Sequence, residues 1–238
     1  MTLNHGVDGN MTCDYLSLFS EKKLTLIMSL PRNDPDWCKA AFEAGADAVK
    51  VHINVTHRAS GTVFGSLSEE SHAFEAMLNQ RSGPMGLVLG GSLEQAARDA
   101  LAVRDLPFSF HSVYAHHMPA WALGSGVPLM AACDGSYSLD EISRMPALGC
   151  DVLEASVIPG NEYGQALSMR DLIRYSAISG AVSVPVVVPT QRAIRPDEVG
   201  ALIRAGVKGL MIGAVVTGRD QASIARAVAA FRKAIDEV

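Results

Sequence analysis

The chain has 238 residues, 48% hydrophobic and 19% charged, enough apolar material for one large core and too little charge for a disordered chain. Its formal net charge of −5 and isoelectric point near 5.8 exclude the basic footprint of a nucleic-acid-binding protein. No run approaches the roughly 20 apolar residues that a membrane helix needs, so neither nucleic acid nor membrane is an expected partner.

Cys13, Cys38, Cys133 and Cys150 form no C-x-x-C pair and no zinc spacing, which predicts a reduced, cytoplasmic protein. The first twenty residues lack a basic segment followed by an apolar one, so no secretory leader is expected.

In chain order, a polar start with a short helix over 14–20 precedes "LTLIMSL" (24–30), the first of eight apolar runs of strand length. The others are "DAVKVHIN" (47–54), "MGLVLGG" (85–91), "SFHSVYA" (109–115), "PLMAACD" (128–134), "CDVLEASV" (150–157), "PVVVPT" (185–190) and "GLMIGA" (209–214). Helical patterns fill most of the gaps, opened by Asp34-Pro35, Arg195-Pro196 and Ser92, and closed by Ala-Gly turns at 44–45 and 205–206. Strand and helix alternate without a linker. This predicts an α/β fold, a single (β/α)8 TIM barrel over residues 23–238 behind an N-terminal extension of residues 1–22. The runner-up, a doubly wound open sheet, would need a nucleotide fingerprint after the first strand, and "IMSLPRNDPDW" has none.

Alternation along a strand sends successive side chains to opposite faces. In the second strand Val49, Val51 and Ile53 share one face and Lys50, His52 and Asn54 the other. If the apolar face packs under the helices, the polar face lines the barrel. The same logic puts Glu154 and Ser156 of the sixth strand inside, where even-numbered strands share layers, so Lys50 and Glu154 are expected to meet across the lumen. A buried ammonium and carboxylate need each other or a ligand, and barrel charges tend to mark the site. The expected catalytic set is Lys50, Glu154, His52 and His111. Asn54, Arg58, Ser60, Asp134 and Ser156 are expected around the substrate, and the long segments 55–65 and 158–168 are expected to overhang one mouth.

The last quarter carries "RPDEVGALIRAGVKGLMIGAVVTG", which resembles the end of the ribulose-phosphate-binding (β/α)8 barrels. The resemblance implies a phosphate held by backbone amides at Gly213, Ala214 and Val215, with Thr190 and Gln191 opposite. A helix N-terminus after glycine suits an anion on general grounds. The chain departs from that pattern at Pro189-Thr190-Gln191-Arg192, where Thr190 and Arg192 would share the grip.

These readings converge on an enzyme for a small phosphorylated substrate, a sugar phosphate or related carbonyl compound, working by Lys/Glu proton transfer or Schiff-base chemistry. That is isomerase, epimerase, lyase or aldolase chemistry, with no cofactor expected. The alternatives are a divalent-metal barrel using His52, His111, Asp134 and Glu154, and a non-catalytic ligand-binding barrel or partner-dependent subunit. A homo-oligomer is the expected assembly.

Overall fold

The computed structural model describes residues 11–238, with side chains from Tyr15 onward. Helix α1 (Met11–Glu21) leads into β1 (Thr25–Ser29), α2 (Pro35–Glu43) and β2 (Ala48–His52). A small antiparallel hairpin, β3 (Val55–His57) and β4 (Thr62–Phe64), comes before α3 (Leu67–Gln80), β5 (Met85–Val88), α4 (Leu93–Arg104) and β6 (Phe110–Tyr114). Then follow β7 (Leu129–Cys133), α5 (Leu139–Arg144), β8 (Val152–Ala155), α6 (Met169–Ala181) and β9 (Val186–Pro189). The chain finishes with α7 (Val199–Arg204), β10 (Gly209–Ile212), the four-residue α8 (Ala214–Thr217) and α9 (Gln221–Asp236).

The eight strands other than the hairpin are parallel and close into a barrel, β1 pairing with both β2 and β10. Each expected run therefore becomes a barrel strand. The helix starts follow from local chemistry: Asp34 accepts from Asp36 N and Trp37 N, Ser92 accepts from Gln95 N, and Ser66, Ser138, Ser168 and Asp220 each close a capping box. Gly45, at φ 102°, makes the left-handed turn that returns α2 to the sheet.

Two apolar layers result. Val49, Val51 and Ile53 pack outward among Cys38, Ala41, Phe74 and Met77, as the alternation predicts. Inside, Ile27, Ala48, Phe110, Met130, Val152 and Val187 fill the N-terminal half of the barrel, closed from below by Tyr15 and Phe19 of α1. Gly86 faces Phe110 across the β5–β6 pair, and a Cβ there would collide with the Phe110 ring. Above this dry floor the barrel wall turns polar. Cys38, Cys133 and Cys150 are free and buried in the core.

Candidate active site

The side chains of Lys50 and Glu154 meet inside the barrel, Nζ to Oε2 at 3.0 Å, each side chain less than a tenth exposed. Three hydrogen bonds hold the carboxylate: Lys50 Nζ and Ser112 Oγ (3.4 Å) donate to Oε2, and Ser156 Oγ donates to Oε1 at 2.7 Å. These four residues come from β2, β6 and β8 and the residue after it, so the pair rests on rigid staves rather than loops. They form the base of a cavity of about 650 Å³ that opens at the C-terminal ends of the strands. That is the end where barrel loops converge.

One strand step nearer the mouth stands His52. Asn33 clamps its backbone on both sides, donating to His52 O at 2.7 Å and accepting from His52 N at 3.1 Å. Its ring stacks on Phe64 at 4.6 Å and lies 4.8 Å from His57, so the hairpin roofs it. Nε2 is 3.5 Å from Ser29 Oγ, and the buried Nδ1 has no partner among the described residues. Burial first, then the charges of His57 and Lys50, push its pKa well below the ordinary value, so His52 is a neutral imidazole. His57, bonded through Nδ1 to Ser60 Oγ at 2.9 Å, is lowered to about 4, chiefly by burial and then by Lys50.

The remaining expectations divide. Ser156, Asp134 and Arg58 line the cavity. Asp134 accepts from Ser136 Oγ and N, and this bonding holds its carboxyl below the usual range. Asn54 does not face the lumen: at φ 52° the strand breaks, and its amide donates to Asp99 of α4 at 2.6 Å. Ser60 is buried behind the hairpin tip, where it braces His57.

His111 is a correction. β6 directs Phe110, Ser112 and Tyr114 inward, so His111 points outward, where its ring hydrogen-bonds the Val103 backbone in α4. The four-residue metal set is thereby split, and among the described residues no three His, Cys, Asp or Glu side chains are grouped to hold a metal ion. Burial lowers the His111 pKa to about 4. Tyr114 takes the expected lumen position instead, hydrogen-bonded to Ser156, its hydroxyl pKa raised by burial and then by Glu154.

The rim holds a second correction, at Arg192. Thr190 Oγ1 accepts the Gly213 amide at 3.0 Å, and Gln191 is engaged at both ends, by Ile158 N at 3.0 Å and Tyr163 Oη at 2.6 Å. Arg192 points away from the cavity into Glu162 (2.6 Å) and Asp171 (3.0 Å). Ala214 and Val215 begin α8 outside the cavity lining, which Gly213, Thr190 and Gln191 reach. Arg192→Met is therefore expected to lower stability while leaving ligand affinity intact. Losing one partner of a buried pair costs about 3–5 kcal/mol, a fall that denaturant midpoints would show. A ligand affinity lost without any fall in midpoint would return Arg192 to the binding set.

Two contributors were absent from the sequence reading. Arg174 of α6 reaches the cavity with Nη1 on Val157 O (3.1 Å) and Nη2 on Gly135 O (3.3 Å). Asn33, in a segment that reads only as a helix entry, positions His52.

The depressed histidines predict an acid limb of stability, and two of them set its window. His57 and His111 bind protons more readily in the unfolded chain, near 6.5, than in the folded one, near 4. Their contribution is complete above pH 6.5 and is lost as pH falls through that window. Urea midpoints should drop between pH 6.5 and 4.5, and less steeply in His111→Phe; a flat profile would contradict the burial of both rings.

No protein-family profile and no curated protein matches the chain. Solved structures do. Mycobacterium tuberculosis tryptophan synthase aligns with TM-score 0.69 at 13% identity, covering 92% of this chain and 96% of that one. Thiamine phosphate pyrophosphorylase from Pyrococcus furiosus gives 0.61 at 20%, covering 91% and 97%, and the native KDPGal structure gives 0.62 at 20% with the same coverage. At these identities what the likeness shows is the fold alone, an α/β (β/α)8 barrel, and no family is identified.

Proposed function

We propose that this barrel is an enzyme acting on a small phosphorylated carbonyl compound, in which Glu154 and Lys50 move protons at the carbon beside the carbonyl. The observation that carries the reading is the Lys50–Glu154 pair at 3.0 Å on the floor of the cavity. A carboxylate and an ammonium at that separation supply a base to take the α-proton and an acid to meet the enediolate oxygen. Ser112 and Ser156 fix the carboxylate's direction. Neutral His52 lines the cavity beside the pair. Charge supports an anionic substrate: Lys50, Arg58 and Arg174 line the cavity against Asp134 and Glu154, a local positive excess in a chain of net −5. One barrel neighbour is named for a phosphate compound, which agrees with this class.

The test is solvent exchange. Incubating the protein with aldose and ketose monophosphates in D2O should place deuterium at the carbon α to the carbonyl of one of them, read by mass spectrometry. Isomerisation and epimerisation both leave that label. Exchange with none of the panel would defeat the proposal. Borohydride trapping of substrate on Lys50 would move the chemistry to a Schiff-base lyase, the reading that the direct Lys50–Glu154 contact disfavours.

A further inference from the structure

In the expected phosphate rim the Gly213 amide bonds Thr190, Gln191 is bonded at both ends and Arg192 is paired outside the cavity, while Ala214 and Val215 stand outside the cavity lining. The cavity's positive charge lies elsewhere. Arg58 sits at the tip of the β3–β4 hairpin, and its backbone is held on three counts. His57 and Ser60 bond to each other across it, Gly61 turns the tip at φ 68°, and Arg219 donates to Ala59 O at 3.4 Å. From that fixed tip the side chain crosses to the opposite loop and lies directly over Gly160. A Cβ on Gly160 would fall on the guanidinium, so only glycine leaves the arginine its place.

Among the described residues Arg58 makes no hydrogen bond or ion pair, which leaves all five of its N–H donors free. Arg174 approaches the same loop from α6, bonded to Val157 O, three residues before Gly160. It is anchored by two donors, one on each amino group, and keeps three. Two guanidiniums thus converge on residues 157–160 at the mouth of one cavity, above the Lys50–Glu154 floor.

We propose that Arg58 and Arg174 form the anion-gripping end of the site and receive the phosphate of a phosphomonoester substrate, on the β2–β8 side of the mouth rather than at Gly213. The inference rests on the phosphorylated-carbonyl reading above and gives it an orientation: phosphate beneath the hairpin, carbonyl carbon on the floor pair. Paired guanidiniums suit a dianion with bidentate acceptors better than a single carboxylate.

The test is calorimetric titration of the full chain with inorganic phosphate, with a ketose monophosphate, and with a sugar acid of similar size lacking phosphorus. Phosphate and the monophosphate should bind, and Arg58→Ala and Arg174→Ala should each weaken them tenfold or more. Arg58→Lys should fail to restore affinity, because an ammonium lacks the planar fork. Gly160→Ala should weaken binding by displacing the Arg58 tip. Denaturant midpoints of the Arg58 variants should match wild type, because that side chain is exposed.

Wild-type phosphate affinity in both Arg58 variants and in Arg174→Ala would overturn the proposal, as would a preference for the sugar acid over the monophosphate. The two readings fail separately. Deuterium exchange that persists beside arginine-independent phosphate binding sinks only the anion site. Arginine-dependent binding without exchange sinks only the role of Lys50 and Glu154.

Discussion

Lys50→Met and Glu154→Gln should each reduce turnover by about 10²–10⁴-fold, the range typical of losing a positioned general acid or base. Their stabilities should differ. Glu154→Gln keeps the shape and an acceptor oxygen for one of the two serines, yet strands the Lys50 ammonium in a barrel where its side chain is 7% exposed. Breaking a buried pair from one side costs about 3–5 kcal/mol. Lys50→Met removes the ammonium and leaves Glu154 with two hydroxyl donors, so it should cost less. The double variant should recover much of the stability lost by Glu154→Gln while being no more active than either single variant, because the two act as one unit. Denaturant midpoints and turnover on the exchanging monophosphate measure both. Full turnover in either single variant would demote the pair to a structural plug.

This pair was legible in the sequence because, toward the C-terminal ends of β2 and β8, apolar residues take one parity and polar residues the other. Val49, Val51 and Ile53 against Lys50 and His52 admit one orientation only. β6 gives no such contrast. Its run carries His111 on one parity and Ser112 and Tyr114 on the other, and the deciding fact is remote: Gly86 leaves a space that only the Phe110 ring fills. Once Phe110 points inward, His111 must point out.

The rim was legible only in part. Glycine-rich strand ends state that the backbone can approach an anion, not that its amides are free, and Thr190 takes the one at Gly213. Arg174 gives no local signal, since an arginine on an amphipathic helix reads as a solvated face. Only the closure of the barrel brings α6 over Val157. The hairpin within 55–65 escaped notice because its strands are three residues long, too short for alternation to register.

Tyr15→Ala should be the most destabilising single truncation outside the polar site, although residues 1–22 read from the sequence as a mere extension. Tyr15 is fully buried against Phe110, ring centroids 3.9 Å apart and 14° from parallel, with Phe19 edge-on at 5.3 Å. Removing a large buried aromatic costs about 3–5 kcal/mol, because the transfer term is joined by a cavity the strands cannot collapse into. At about 2–4 °C per kcal/mol for a chain this long, the melting temperature should fall by roughly 10 °C.

Tyr15→Phe should be far milder, since the hydroxyl's partner is the Met130 sulfur at 3.5 Å, a weak acceptor. Gly86→Ala should approach the alanine truncation from the opposite direction, driving the Phe110 ring out of its stack. The consequence reaches the chemistry. Glu154 is close enough to help burial raise the Tyr15 pKa, so the plug lies directly beneath the acid–base pair. In Tyr15→Ala, turnover of the folded fraction should therefore decline along with the melting temperature. An unchanged melting temperature would mean that α1 leans on the barrel without closing it.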